Sequence, residues 1–133
     1  MKFLPALLAG LLALAGPAFA HHSYALFDRD KEVALSGTIR EFSWTNPHAS
    51  IQISVRGADG GEQVWGVEGG SPNNLTRAGW KRTSLNPGDK VTIKVHPLRA
   101  GQHGGSLISV TLPDGKVLGE TQQAAAASQP ADR

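Results

Sequence analysis

From Glu32 onward the chain alternates apolar and polar positions with a period of two, the pattern of strands with one face turned to a core. Val33, Leu35 and Ile39 share one parity, whereas Phe42 and Trp44 continue on the other. The flip places a bulge or sharp bend near Arg40-Glu41, a device that lets one strand serve two faces of a barrel. Thr45-Asn46-Pro47 is turn chemistry. The second strand is the cleanest: Ala49, Ile51, Ile53 and Val55 face one way, and His48, Ser50, Gln52 and Ser54 the other. After the loop Gly57–Gly61, residues Gln63 to Glu68 read as a third strand. A helix of about two turns follows, with Ser71 as N-cap, Pro72 at its first position and Gly79 past its end. Leu75 and Ala78 face the core from it, and Trp80 is the expected plug.

The turn Asn86–Asp89 leads to a fourth strand with Val91, Ile93 and Val95 inward. A Gly-rich loop, Pro97–Gly105, carries His103, and a fifth strand is expected with Ile108, Val110 and Leu112 inward, closed by a short return through Lys116-Val117-Leu118. From Gly119 the composition turns to Gln, Ala, Ser and Pro without apolar period, so residues 119–133 are expected to form a disordered tail. The element order predicts an all-β fold: a small OB-like five-stranded barrel with one short helix between strands three and four.

The first twenty residues change the picture. Lys2 precedes an apolar run from Phe3 to Ala15, and Ala18-Phe19-Ala20 is an A-x-A cleavage pattern. The run is too short to span a bilayer. Residues 1–20 therefore read as a secretory signal peptide removed after Ala20, leaving one domain at 21–118 and the tail, with a periplasmic or secreted location and no membrane span after cleavage. Twelve basic and eleven acidic residues remain, so the mature net charge is +1, and no polyanion footprint is present. No nucleic-acid partner is expected on that ground. The absence of cysteine removes disulfides, thiolate metal sites and a cysteine nucleophile.

Five histidines are the remaining chemical stock: His21, His22, His48, His96 and His103. No nucleophile elbow, zinc-protease helix, phosphate loop or spaced carboxylate pair is found, and no catalytic residue is assigned. Cleavage before His21 places an α-amine and an imidazole on one residue. Their reference pKa values, about 7.7 to 8.0 and about 6.5, let both shed protons near neutrality and chelate one ion. Nitrogen-rich sets of this kind favour Cu(II), and the arrangement is similar in ligand type to the histidine brace of certain exported copper proteins. His48, on the wet face of strand two, is the expected third ligand, with His96 and His103 flanking the loop between strands four and five. The alternative is a docking module for an envelope protein or saccharide, with the histidines serving as turn residues and Ser50 and Gln52 as the contact face. A metal-dependent enzyme is a third reading, for which no general acid or base is identifiable.

His21-His22-Ser23, Phe27-Asp28, Gly37-Thr38, Trp44-Thr45-Asn46-Pro47-His48-Ala49, Gly79-Trp80, Ser84-Leu85, Pro87-Gly88-Asp89 and His96-Pro97-Leu98 together resemble an uncharacterised family of small exported bacterial proteins, domain of unknown function 6152. The resemblance runs from His21 to about Leu118. It implies an exported location and a compact β-rich domain, and brings no assigned activity.

Overall fold

Gly37 sits where the first strand passes from one partner to the next, and it explains how the barrel curls. In the computed structural model, which describes residues 25–130, strand β1 (Val33–Ser43) pairs antiparallel with β4 (Lys90–Pro97) through its first half and with β2 (Ser50–Arg56) through its second. Both ladders share Gly37 and Thr38. A Cβ at Gly37 would run into the Ser54 carbonyl, so only glycine permits this close approach. The parity flip expected at Arg40-Glu41 is present: the β1–β2 register shifts between Ile39 and Glu41. Leu35 and Ile39 accordingly lie in the core, and past the shift Phe42 and Trp44 pack against it.

β2 forms a hairpin with β3 (Glu62–Glu68); helix α1 (Pro72–Arg77) follows, then β4, β5 (Gly104–Thr111), the short β6 (Val117–Gly119) and helix α2 (Gln122–Ser128). The sheet order is β3-β2-β1-β4-β5-β6, and a parallel β3–β5 pairing, Gly66↔Gly104 to Glu68↔Ser106, closes it into a five-stranded barrel. With the short helix between β3 and β4, this is the OB-like architecture read from the sequence. Ser71 caps α1 through its hydroxyl, which accepts the Asn74 N–H at 3.2 Å.

The core is the summed inward face of the strands: Ile51, Ile53, Val67, Ile93, Val95 and Val110 are all fully buried. Leu75 of α1 and Trp80 plug one end. Trp80 is 1% exposed, packs against Phe42 at 5.9 Å between ring centroids, and donates its indole N–H to the Gly119 carbonyl at 2.7 Å.

Two expectations are corrected. In β5 the inward residues are Leu107 and Val110, because the β4–β5 register shifts between Lys94 and Val95. Ile108, expected inward, is the extra residue of that bulge and is only partly buried. The expected disordered tail, residues 119–133, begins as β6 and α2: Thr121 caps the helix by accepting the Ala124 N–H at 3.0 Å, and Gly119 lies so close to Ala125 that a Cβ would meet its backbone. The alanines give no apolar period, yet they pack because the residue beneath them has no side chain.

Candidate functional site

The register brings chemistry-bearing residues into one row. His96 of β4 stands opposite Ser106 of β5, Ser106 opposite Glu68 of β3, and Glu68 opposite Ser50 of β2. Cross-strand partners project from the same face; the next residues in line, Val95, Leu107, Val67 and Ile51, are buried, so the row faces outward. His48 lies two residues before Ser50, just after the cis Asn46-Pro47 bond, and its Nε2 is 3.6 Å from Glu68 Oε1. Both side chains are about half exposed.

Glu120 completes the row from above. The bulge that displaces Ile108 turns its carbonyl to accept the Glu120 N–H at 2.9 Å. The Glu120 carboxyl shares a cleft of about 230 Å³ with Phe27, Arg29, His48, Glu68 and Ser106. Burial raises its pKa above the ordinary carboxylate value, against the pull of Arg29, His96 and His48, and Glu68 pushes it further up.

A group whose pKa is raised on folding supports the fold while protonated and loses that support as pH climbs through its folded pKa. Wild-type protein is therefore expected to lose stability relative to Glu120→Gln as pH rises above the ordinary glutamate value of 4.5 and on through the raised folded pKa. Thermal melts of both proteins across that range check this; parallel profiles would show that the carboxyl carries no such cost.

The cleft wall is a strap ahead of β1. Phe27 bridges to Leu98, the Arg99 N–H donates to Leu26 O at 2.9 Å, and the Asp28 N–H donates to Pro97 O at 2.8 Å. Asp28 holds Lys31 and Arg99 by ion pairs of 3.4 and 3.9 Å. Desolvation lifts its pKa, but the Asp30 N–H, Lys31 and Arg99 together hold it below the ordinary value. The strap also reaches β4, where His96 Nδ1 lies 2.9 Å from the Lys31 carbonyl.

Of the histidines singled out in the sequence, His48 lines the cleft beside Glu68 and Glu120, whereas His96 stands outside that lining, on β4 opposite Ser106. His103 is elsewhere again: its ring stacks on Trp65 at 5.2 Å and 19°, and its carbonyl accepts the Gly66 N–H beside the β3–β5 seam. His21 and His22 lie outside the described residues. Among the described residues no group of three or more His, Asp or Glu is arranged to hold a metal ion. Glu68, Glu120 and Arg29 were not among the sequence candidates. Glu68 was open to the alternation argument, since it shares the outward parity of its strand. Glu120 was hidden by its place in an apparent tail.

The model of a family of unknown function, DUF6152, matches residues 8–107, three quarters of the chain. The chain belongs to this family. No curated protein matches it. Among solved structures, the barrel is similar to the mitochondrial single-stranded DNA binding protein Rim1 of S. cerevisiae, at 12% identity and a TM-score of 0.48, covering 62% of this chain and 93% of that one. The expectation of no nucleic-acid partner, drawn from the near-neutral charge, is withdrawn. Net charge alone does not set that partner class aside.

Proposed function

We propose that this chain is an exported binding module that holds Cu(II) through the α-amine and imidazole of His21, made N-terminal by removal of residues 1–20, together with the imidazole of His48. The observation that carries the reading is the placement of His48. It stands against Glu68 in a cleft whose wall, Phe27 to Arg29, is the stretch of chain that follows His21. Phe27 lies six positions after His21, a span of at most about 20 Å when extended, so the chain terminus has the reach to enter that cleft. Glu68 and Glu120 give it a carboxylate character that suits a cation.

The test is a Cu(II) titration of the processed protein followed by electron paramagnetic resonance, beside a variant carrying one additional residue before His21. The added residue moves the amine off the chelate ring. Tight binding with a nitrogen-rich signal is expected only in the processed form; equal binding by both, or loose scavenging by both, refutes the reading.

A second reading, a docking module for an envelope protein or saccharide, is favoured by a groove beside the cleft. Ser50, Gln52, Gly66 and Gly105 lie along it with Leu98 and Leu26, and Leu26 is 57% exposed. A flat copper response would leave this reading in place.

A further inference from the structure

Charge that nearly balances over the whole chain does not balance on every face. On β1 the residues that point outward between the buried Leu35 and Ile39 are Ser36 and Thr38; on β4 they are Lys90, Thr92 and Lys94, alternating with the buried Val91 and Ile93. The register sets them in two rows. Thr111, Thr92 and Ser36 stand side by side across β5, β4 and β1, and Lys90, Thr38 and Ser54 across β4, β1 and β2. Lys90 and Lys94 thus flank Thr92 along its strand, each about 7 Å away in backbone rise. We propose that this outer face binds an acidic polysaccharide, with Lys90, Lys94 and Arg56 taking its carboxylates and the two rows of Ser and Thr its hydroxyls. The face shares no residue with the cleft or the groove beside it, so the proposal is independent of the copper reading.

The surface is open and its polar groups are uncommitted. A hollow of about 410 Å³ bounded by Lys90 and Thr111 meets one of about 290 Å³ bounded by Ser54 and Arg56 along Ser36, Gly37 and Thr38, giving one trough across the barrel wall. Ser36 and Thr92 bond to each other at 3.1 Å, whereas the hydroxyls of Thr38, Ser54 and Thr111 meet no partner among the described residues. Among the same residues no carboxylate pairs with Lys90, Lys94 or Arg56. Glu62, beside Arg56 in the ladder, is the one carboxylate lining the trough, and it is turned to Arg40 at 3.1 Å.

Unpaired cations are complemented by anions, and a hydroxyl, which both donates and accepts, is complemented by another hydroxyl. A polymer of sugar acids carries both groups along its length. A polynucleotide also brings anions, but single strands are held by bases stacked on aromatic side chains, and no aromatic ring lines the trough. Exposed ion pairs are individually weak, so a repeating ligand, which engages several at once, is the kind that such a face retains.

Affinity electrophoresis of the purified protein through gels carrying polygalacturonate, measured against a blank gel, tests the assignment. Retardation is expected, weakening at high salt, and it is expected to disappear with the methyl-esterified polymer, which keeps hydroxyls and loses charge. Lys90→Gln with Lys94→Gln is expected to weaken retention roughly 3- to 10-fold, and Thr38→Val with Thr92→Val, which leaves the charge unchanged, by a similar factor. Lys81→Gln with Arg82→Gln removes the same charge from exposed positions outside the trough and is expected to change nothing. Melting midpoints of all three double variants establish that the fold is retained. Wild-type retention in either trough variant, or equal loss in the Lys81 and Arg82 variant, would overturn the proposal. So would free migration through polygalacturonate, or a tighter hold, through the same two lysines, on a single-stranded oligothymidylate.

Discussion

Trp80→Ala is expected to lower the unfolding free energy by about 3 to 5 kcal/mol, as large-to-small changes at fully buried aromatic positions do. The indole fills the barrel end between Leu75 and Phe42, where a cavity has no solvent to fill it. Trp80→Phe separates the two contributions of the side chain. It keeps a six-membered ring but loses the pyrrole part of the indole, and with it the N–H that the Gly119 carbonyl accepts, so about 1 to 3 kcal/mol is expected for the stranded acceptor on top of a cavity smaller than the one Ala leaves. Urea unfolding of the three proteins reads both values. A Trp80→Ala loss below about 1 kcal/mol would mean that the barrel end collapses freely around the gap. Because Gly119 precedes Glu120, Trp80→Phe also loosens the backbone that presents the cleft carboxyl.

Copper at a hundredfold excess over Kd is expected to raise the melting midpoint of the processed protein by roughly 10 to 20 °C at about pH 7.5. The figure follows from about 2.7 kcal/mol of linkage to the folded state and about 4 to 8 °C per kcal/mol for a domain of this size. The terminal amine and the imidazole of a chelating histidine must shed protons to bind, so the rise is expected to vanish largely by about pH 5. It is also expected to vanish in His21→Ala. Differential scanning fluorimetry with and without Cu(II) decides the matter, and a response indifferent to pH and to His21 would count against the chelate.

The barrel was legible because its clearest signals are local. Alternation in β2 and β4, the parity flip at Arg40-Glu41 and the Ser71-Pro72 helix start each follow from short-range stereochemistry, and each is present in the structure. The bulge at Ile108 was not legible. Leu107-Ile108-Ser109-Val110 offers apolar residues to both faces, and only pairing with β4 decides which parity is buried. Helix α2 was missed for a related reason: its alanines have strong helix propensity but no apolar stripe, and what holds them is a glycine in a neighbouring strand. Half of the cleft therefore escaped the sequence. His48 and His96 were visible as chemically unusual residues, whereas Glu120 depends on the Ile108 bulge for its position and Glu68 on strand register for its company.

The seam that closes the barrel has a kinetic meaning. Only three parallel pairs join β3 to β5, and they connect residues some forty positions apart in sequence. Such non-local contacts carry the loop-closure cost that slows folding, so they form after the β2–β3 and β4–β5 ladders. Glu68 and Ser106 are themselves one of these pairs. The cleft thus comes into being as the barrel shuts, and a ligand gripping it from both sides of the seam acts as a clasp, retarding unfolding while leaving the rate of folding nearly unchanged.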